Sequence, residues 1–69
     1  MTDEECIATA ALHGAIFYGW KKISGFDSYI VCSEWEWNNV PSCDVEYATK
    51  GLAARKYCER HKLLEEVTP

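Results

Sequence analysis

Apolar residues near the start of the chain recur at helical spacing. Cys6, Ile7, Ala10 and Ala11 fall on one stripe behind Thr2-Asp3-Glu4-Glu5. That opening tetrapeptide has the form of a capping box, in which the Thr2 hydroxyl accepts from the Glu5 amide and the Glu5 carboxylate reaches back to the Thr2 amide. Three acids in the first turn also suit the positive end of the helix dipole. Two endings are open to this helix. Gly14 can cap it after His13, leaving residues 15–23 as a strand rich in aromatic and branched side chains, or the stripe can run on through Phe17 and Tyr18 to a cap at Gly19. The first is preferred, because it yields a strand matched in length to the next one across the turn Ser24-Gly25-Phe26-Asp27.

Residues 28–37 then read as the second strand, an apolar run that passes into strict alternation. Period two places Tyr29, Val31, Trp35 and Trp37 on one face and Ile30, Cys32, Glu34 and Glu36 on the other. Residues 38–42 form a loop, since Asn and Ser favour turns and Pro41 cannot continue a ladder. A final helix is expected from Cys43 or Asp44 to Leu64, capped by Ser42 or Asp44, with Tyr47, Gly51, Ala54, Cys58 and His61 as its buried stripe and Ala48 and Leu52 widening it. Gly51 and Ala54 are small enough to let sheet aromatics approach closely. Residues 65–69 read as a frayed tail. The pattern predicts a single α+β domain over residues 1–69, in the order helix, β-hairpin, helix (αββα), with the last helix packed on the sheet.

Length narrows the functional classes. A chain of 69 residues buries only about 60% of the surface it exposes when unfolded, little scaffold for an enclosed catalytic pocket. Aromatic content of 13% with four Gly and two Pro argues for a folded chain rather than a disordered one. The net charge of −4 conceals an uneven distribution. Residues 50–62 carry five cations against Glu59 alone, a net +4, while the remainder sets ten acids against Lys21 and Lys22, a net −8. Two kinds of partner follow. Lys50, Arg55, Lys56 and Arg60 on the last helix can sit along a phosphate backbone. The acidic remainder can dock on a basic protein surface and be steered there by charge. Cations late in a helix also complement its dipole and solubilise its outer face, with no partner involved.

Catalytic and metal chemistry find little support. Cys6, Cys32, Cys43 and Cys58 read as reduced, buried thiols, given an acidic N-terminus without the basic region of a secretory signal. Cys58 and His61 lie three apart on the last helix and can face one zinc ion, but Cys32 and Cys43 lack the close pairing of a zinc knuckle, so no metal or cofactor is expected. The same pair has the residue types of a nucleophile and base, without an orienting third residue or an oxyanion loop. His13 sits by a helix end, where capping is its ordinary role, and no enzymatic activity is expected.

The unusual stretch is Glu34-Trp35-Glu36-Trp37-Asn38-Asn39. Two tryptophans framed by carboxylates bring more apolar area than a small core readily absorbs, and Trp and Tyr are favoured interface anchors. Trp35, Trp37, Glu34 and Glu36, with Tyr29 as neighbour, are the candidate contacts for a protein partner. An unpaired strand edge also offers a route to a homodimer.

Residues Trp20 to Tyr29 resemble the W-x-x-I-x-G-[FY]-x-x-Y start of the DNA-binding modules attached to homing endonucleases. The serine-asparagine-glycine turn that follows there is missing, and that function is not carried over. In size, acidic charge and the hairpin followed by Tyr47-Ala48-Thr49-Lys50-Gly51-Leu52-Ala53-Ala54-Arg55, the chain resembles the short accessory proteins of bacteriophages, among them anti-CRISPR and other host-takeover inhibitors. The resemblance implies stoichiometric, non-enzymatic binding to a bacterial defence or regulatory protein in the host cytoplasm, with nucleic-acid binding through the basic helix as the alternative and no membrane partner.

Overall fold

The computed structural model describes residues 2–41 and 45–64. Five elements follow in chain order: α1 (Asp3–Leu12), β1 (Ile16–Lys21), β2 (Asp27–Cys32), α2 (Glu34–Asn39) and α3 (Lys50–Arg60). The architecture is α+β, with the C-terminal helix against an antiparallel hairpin.

Local chemistry accounts for α1. Thr2 Oγ1 accepts from the Glu5 amide at 3.1 Å and the Thr2 amide donates to Glu5 Oε1 at 2.7 Å, so the capping box is complete. These hydrogen bonds hold the Glu5 carboxyl below its usual range. At the other end Leu12 is the last helical residue, His13 caps it, and Gly14 turns left-handed at φ +99°. The amides of Gly14 and Ala15 then donate back to the carbonyls of Ala11 and Ala10, closing the helix in a Schellman motif. The chain is thereby freed to enter β1 at Ile16, and the ending at Gly14 is the one adopted.

β1 and β2 pair antiparallel, from Ile16 opposite Cys32 to Lys21 opposite Asp27. The inner face of the hairpin supplies Phe17, Tyr29 and Val31 to a core completed by Cys6 and Ala10 of α1 and Ala53, Ala54, Tyr57 and Cys58 of α3. Tyr57 is the largest fully buried side chain; the other fully buried positions are Cys and Ala, so the helices approach closely. The outer face is a separate small cluster of Ile30 and Cys32 with Tyr18 and Val40.

The structure corrects two sequence expectations. The second strand stops at Cys32, and residues 34–39 are helical rather than extended. Ser33 Oγ accepts from the Glu36 amide at 3.1 Å, and the Ser33 amide donates to Glu36 Oε1 at 3.0 Å. Ser33-x-x-Glu36 is thus a second capping box, and it overrides the alternating pattern that suggested a strand. The side chains of Asn38 and Asn39 donate to the carbonyls of Glu34 and Trp35, satisfying acceptors that so short a helix leaves open.

The final helix is also shorter than expected. It starts at Lys50, with Thr49 Oγ1 accepting from the Leu52 amide, because Tyr47 is engaged in extended pairing with Tyr29 through two 2.8 Å backbone hydrogen bonds. The expected caps Ser42 and Asp44 lie outside the described residues. It ends at Arg60, where Lys62 takes a left-handed φ of 56° and the amides of Lys62 and Leu63 bond back to Glu59 and Cys58 in a second Schellman motif. Of the expected stripe, Gly51, Ala54 and Cys58 are buried, together with Ala53 and Tyr57, while Leu52 and Ala48 face outward. The close approach at Gly51 is to Asp3 of α1 rather than to sheet aromatics.

Candidate functional site

α2 places the predicted contact residues in two different environments. On a helix, residues two apart diverge by about 200°, so Trp35 and Trp37 do not share a face as they would on a strand. Trp35 is 66% exposed. Trp37 is 41% exposed, with its ring stacked on Tyr18 of the outer sheet face at 4.2 Å between centroids and 19° between planes. Glu34 is exposed. Beside these lies a shallow open groove lined by Trp37, Asn38, Asn39, Val40 and Pro41.

Glu36 and Tyr29 are drawn into the fold instead. Tyr29 packs on the core and crosses Gly19, and its backbone is taken by Tyr47. Glu36 is only 6% exposed. Its Oε2 accepts from Arg60 Nε at 3.0 Å, and its Oε1 lies 2.9 Å from His61 Nε2, a contact without the alignment of a directed hydrogen bond. Burial works to raise the Glu36 pKa, but the hydrogen bonds from Arg60 and the Ser33 amide and the approach of His61 outweigh it and hold the carboxyl at about 2. Arg60 also donates to the Val31 carbonyl at 3.2 Å. The pair therefore pins α2 to both α3 and β2, and leaves Trp35 and Trp37 to its outside.

The same joint gathers groups that sequence reasoning left apart. His13 Nδ1 and the Tyr57 hydroxyl are joined by a 2.8 Å hydrogen bond, and the His61 ring lies 4.2 Å from Tyr57 and 5.0 Å from His13. Burial pushes the Tyr57 phenol up, so it stays protonated. Cys58 turns the other way, donating to the Cys6 carbonyl at 3.5 Å, and burial raises its thiol pKa. The Cys58 thiol is thus engaged with α1. Cys6, Cys32 and Cys58 are buried; Cys43 lies outside the described residues. Among the described residues no group of three or more His, Cys, Asp or Glu side chains is placed to hold a metal ion. The signal that could have located this joint is Ser33-x-x-Glu36, read as a cap.

The cations of α3 have internal partners. Arg55 pairs with Asp3 at 3.0 Å, Lys56 with Glu59 at 3.5 Å and Arg60 with Glu36, while Lys50 Nζ stands 4.7 Å from the centre of the Phe17 ring. A net +4 along the sequence is not a row of uncommitted charges in space. No helix among the described residues is long and apolar enough to cross a membrane. Comparison with protein-family models, with curated proteins and with solved structures returned no match.

Proposed function

We propose that this chain is a non-enzymatic binding module that acts by stoichiometric contact with a partner protein through α2 and its surroundings. The observation that carries the reading is the exposure of Trp35 (66%) and Trp37 (41%) on a helix whose position is held from behind by Glu36. Large rigid aromatics presented on a fixed element are the usual anchors of protein interfaces, because little conformational entropy is lost when they are covered. Glu34, on the same helix, gives the face an acidic margin suited to a basic partner surface. The resemblance to bacteriophage accessory proteins makes that partner a bacterial defence or regulatory protein, and blocking it the function.

Capture from bacterial lysate tests this, using tagged wild type beside Trp35→Ala and the Trp35→Ala/Trp37→Ala double variant, with half of each sample treated with nuclease. One protein retained in stoichiometric amount by wild type despite nuclease, and lost from a double variant with native circular dichroism, is the expected result. Trp35→Ala alone separates contact from fold, since it leaves the Trp37–Tyr18 stack in place. Recovery that vanishes with nuclease and is indifferent to the tryptophans would overturn the reading in favour of nucleic acid on α3.

A further inference from the structure

The two edges of the hairpin are treated differently. Lys22 donates to the Phe26 carbonyl across the turn, so the even-numbered residues of β1 face β2, and the amides and carbonyls of Phe17, Gly19 and Lys21 point outward. By the same phase Tyr29 and Val31 point outward from β2. That edge is closed: Tyr29 is bonded to Tyr47 in both directions, and the Val31 carbonyl accepts from Arg60. Among the described residues no backbone partner meets the outward groups of β1. Neither is the edge protected in the usual ways, since residues 16–20 contain no proline and no charged side chain, and the strand has no bulge. Both long helices lie over β2 or each other and make only slight contact with β1.

We propose that two copies of the chain join antiparallel through β1, forming a continuous four-stranded sheet in the order β2-β1-β1-β2. Two-stranded sheets are marginal alone, and the pairing supplies partners to the outward groups of Phe17 and Gly19 in both copies. Of the two-fold registers that match outward-facing residues, those with the axis at Gly19 or at Tyr18 pair the most of the strand, and charge separates them. With the axis at Gly19, Lys21 of one copy falls opposite Phe17 of the other, where Lys50 already stands 4.7 Å from the ring, so like charges crowd together. With the axis at Tyr18, every pair within residues 16–20 is uncharged, and Lys21 falls opposite Ala15. On the outer face Ile16 meets Trp20 and Tyr18 meets Tyr18; on the inner face Phe17 meets Gly19. Ile16 and Trp20 are 37% and 39% exposed in the single chain, which is apolar area available for burial. The surface used is β1, and because Tyr18 also stacks on Trp37, Trp35→Ala is the variant that tests partner capture without touching the dimer edge.

Sedimentation equilibrium of the full chain over a dilution series from about 1 to 100 µM reads the dimer directly. Wild type is expected to dimerise within that range. Ile16→Lys/Trp20→Lys sets lysine against lysine twice in the Tyr18 register and is expected to weaken association at least about tenfold, with circular dichroism unchanged. Ile16→Glu/Trp20→Lys sets the introduced glutamate against the introduced lysine in that register alone, and is expected to restore a dimer that added salt now weakens. A wild type monomeric at the highest concentration overturns the proposal, and assigns the edge to a foreign strand if any. A dimer insensitive to the double lysine, or one that the charge-reversed pair fails to restore, overturns it as well.

Discussion

Glu36 and Arg60 are 24 residues apart in sequence and meet through a hydrogen bond of 3.0 Å between Arg60 Nε and Glu36 Oε2. The Glu36 side chain is almost wholly covered, at 7% exposed, while that of Arg60 is 29% exposed, so one charge is buried and the other partly hydrated. Removing either partner from a pair of this kind leaves an uncompensated charge, which is costlier than the net worth of the pair. Because Arg60 also binds the Val31 carbonyl, the contact joins three elements at one point. The orientation of α2, and with it the display of Trp35 and Trp37, depends on this joint.

Acid stability is the first consequence. Glu36 titrates at about 2 in the folded chain against an ordinary 4.5, so its ionised form favours folding. That contribution is fully present above about pH 4.5 and is lost as pH falls from there through about 2. The shift corresponds to at most about 3 kcal/mol, which the partial exposure of Arg60 brings down to about 2–3 kcal/mol. Urea unfolding of Glu36→Gln as a function of pH is expected to show lower stability than wild type near neutrality, with the two curves converging towards pH 2. Parallel curves over that interval would show that the carboxylate charge does not stabilise the joint.

A second expectation concerns the contact of α1 with α3. Alanine in place of a helical glycine ordinarily stabilises by about 0.5–1 kcal/mol. At Gly51, however, an added Cβ would lie 2.6 Å from both Cβ and Cγ of Asp3. Relief requires moving α1 or turning Asp3 away from Arg55, its partner at 3.0 Å. Gly51→Ala is therefore expected to destabilise by about 1–2 kcal/mol, the usual cost of overpacking. A denaturant midpoint at or above that of wild type would show that the two helices separate freely here.

The C-terminus of α3 offers the opposite sign. Lys62 occupies the left-handed position of the Schellman motif at φ 56°, which a residue with a side chain adopts at a cost of about 1–2 kcal/mol. Lys62→Gly relieves that strain but enlarges the freedom of the unfolded chain. The net expectation is stabilisation of about 0.5–1 kcal/mol, read as a higher denaturant midpoint with an unchanged slope. A lower midpoint would mean that the lysine side chain contributes more than its backbone conformation costs.

Much of the fold follows from short-range chemistry that a sequence displays directly. Thr2-x-x-Glu5 starts α1, Gly14 ends it, and a turn around Gly25, closed between Lys22 and Phe26, joins two runs of β-forming residues. These signals specify α1, the hairpin and the order helix–hairpin–helix, because each is satisfied by hydrogen bonds within a few residues. The tryptophan pair was legible as an unusual apolar load, though its setting was not. Glu34-Trp35-Glu36-Trp37 alternates like a strand, and only Ser33 bonded to Glu36 makes it helical.

What tertiary structure alone decided is where the charges and the chain edges went. Glu36 is inside because Arg60 and His61 come to meet it, and Arg55 and Arg60 of α3 are committed because Asp3 and Glu36 stand beside them. Tyr47 is extended rather than helical because the free edge of β2 supplies hydrogen bonds to its backbone. None of these outcomes has a local signature. A buried carboxylate is tolerable only when its counter-charge arrives from elsewhere in the chain, and a strand edge is closed only by whatever the fold lays against it. Local hydrogen bonding wrote the elements into the sequence; desolvation, which depends on every neighbour in space, assigned their faces.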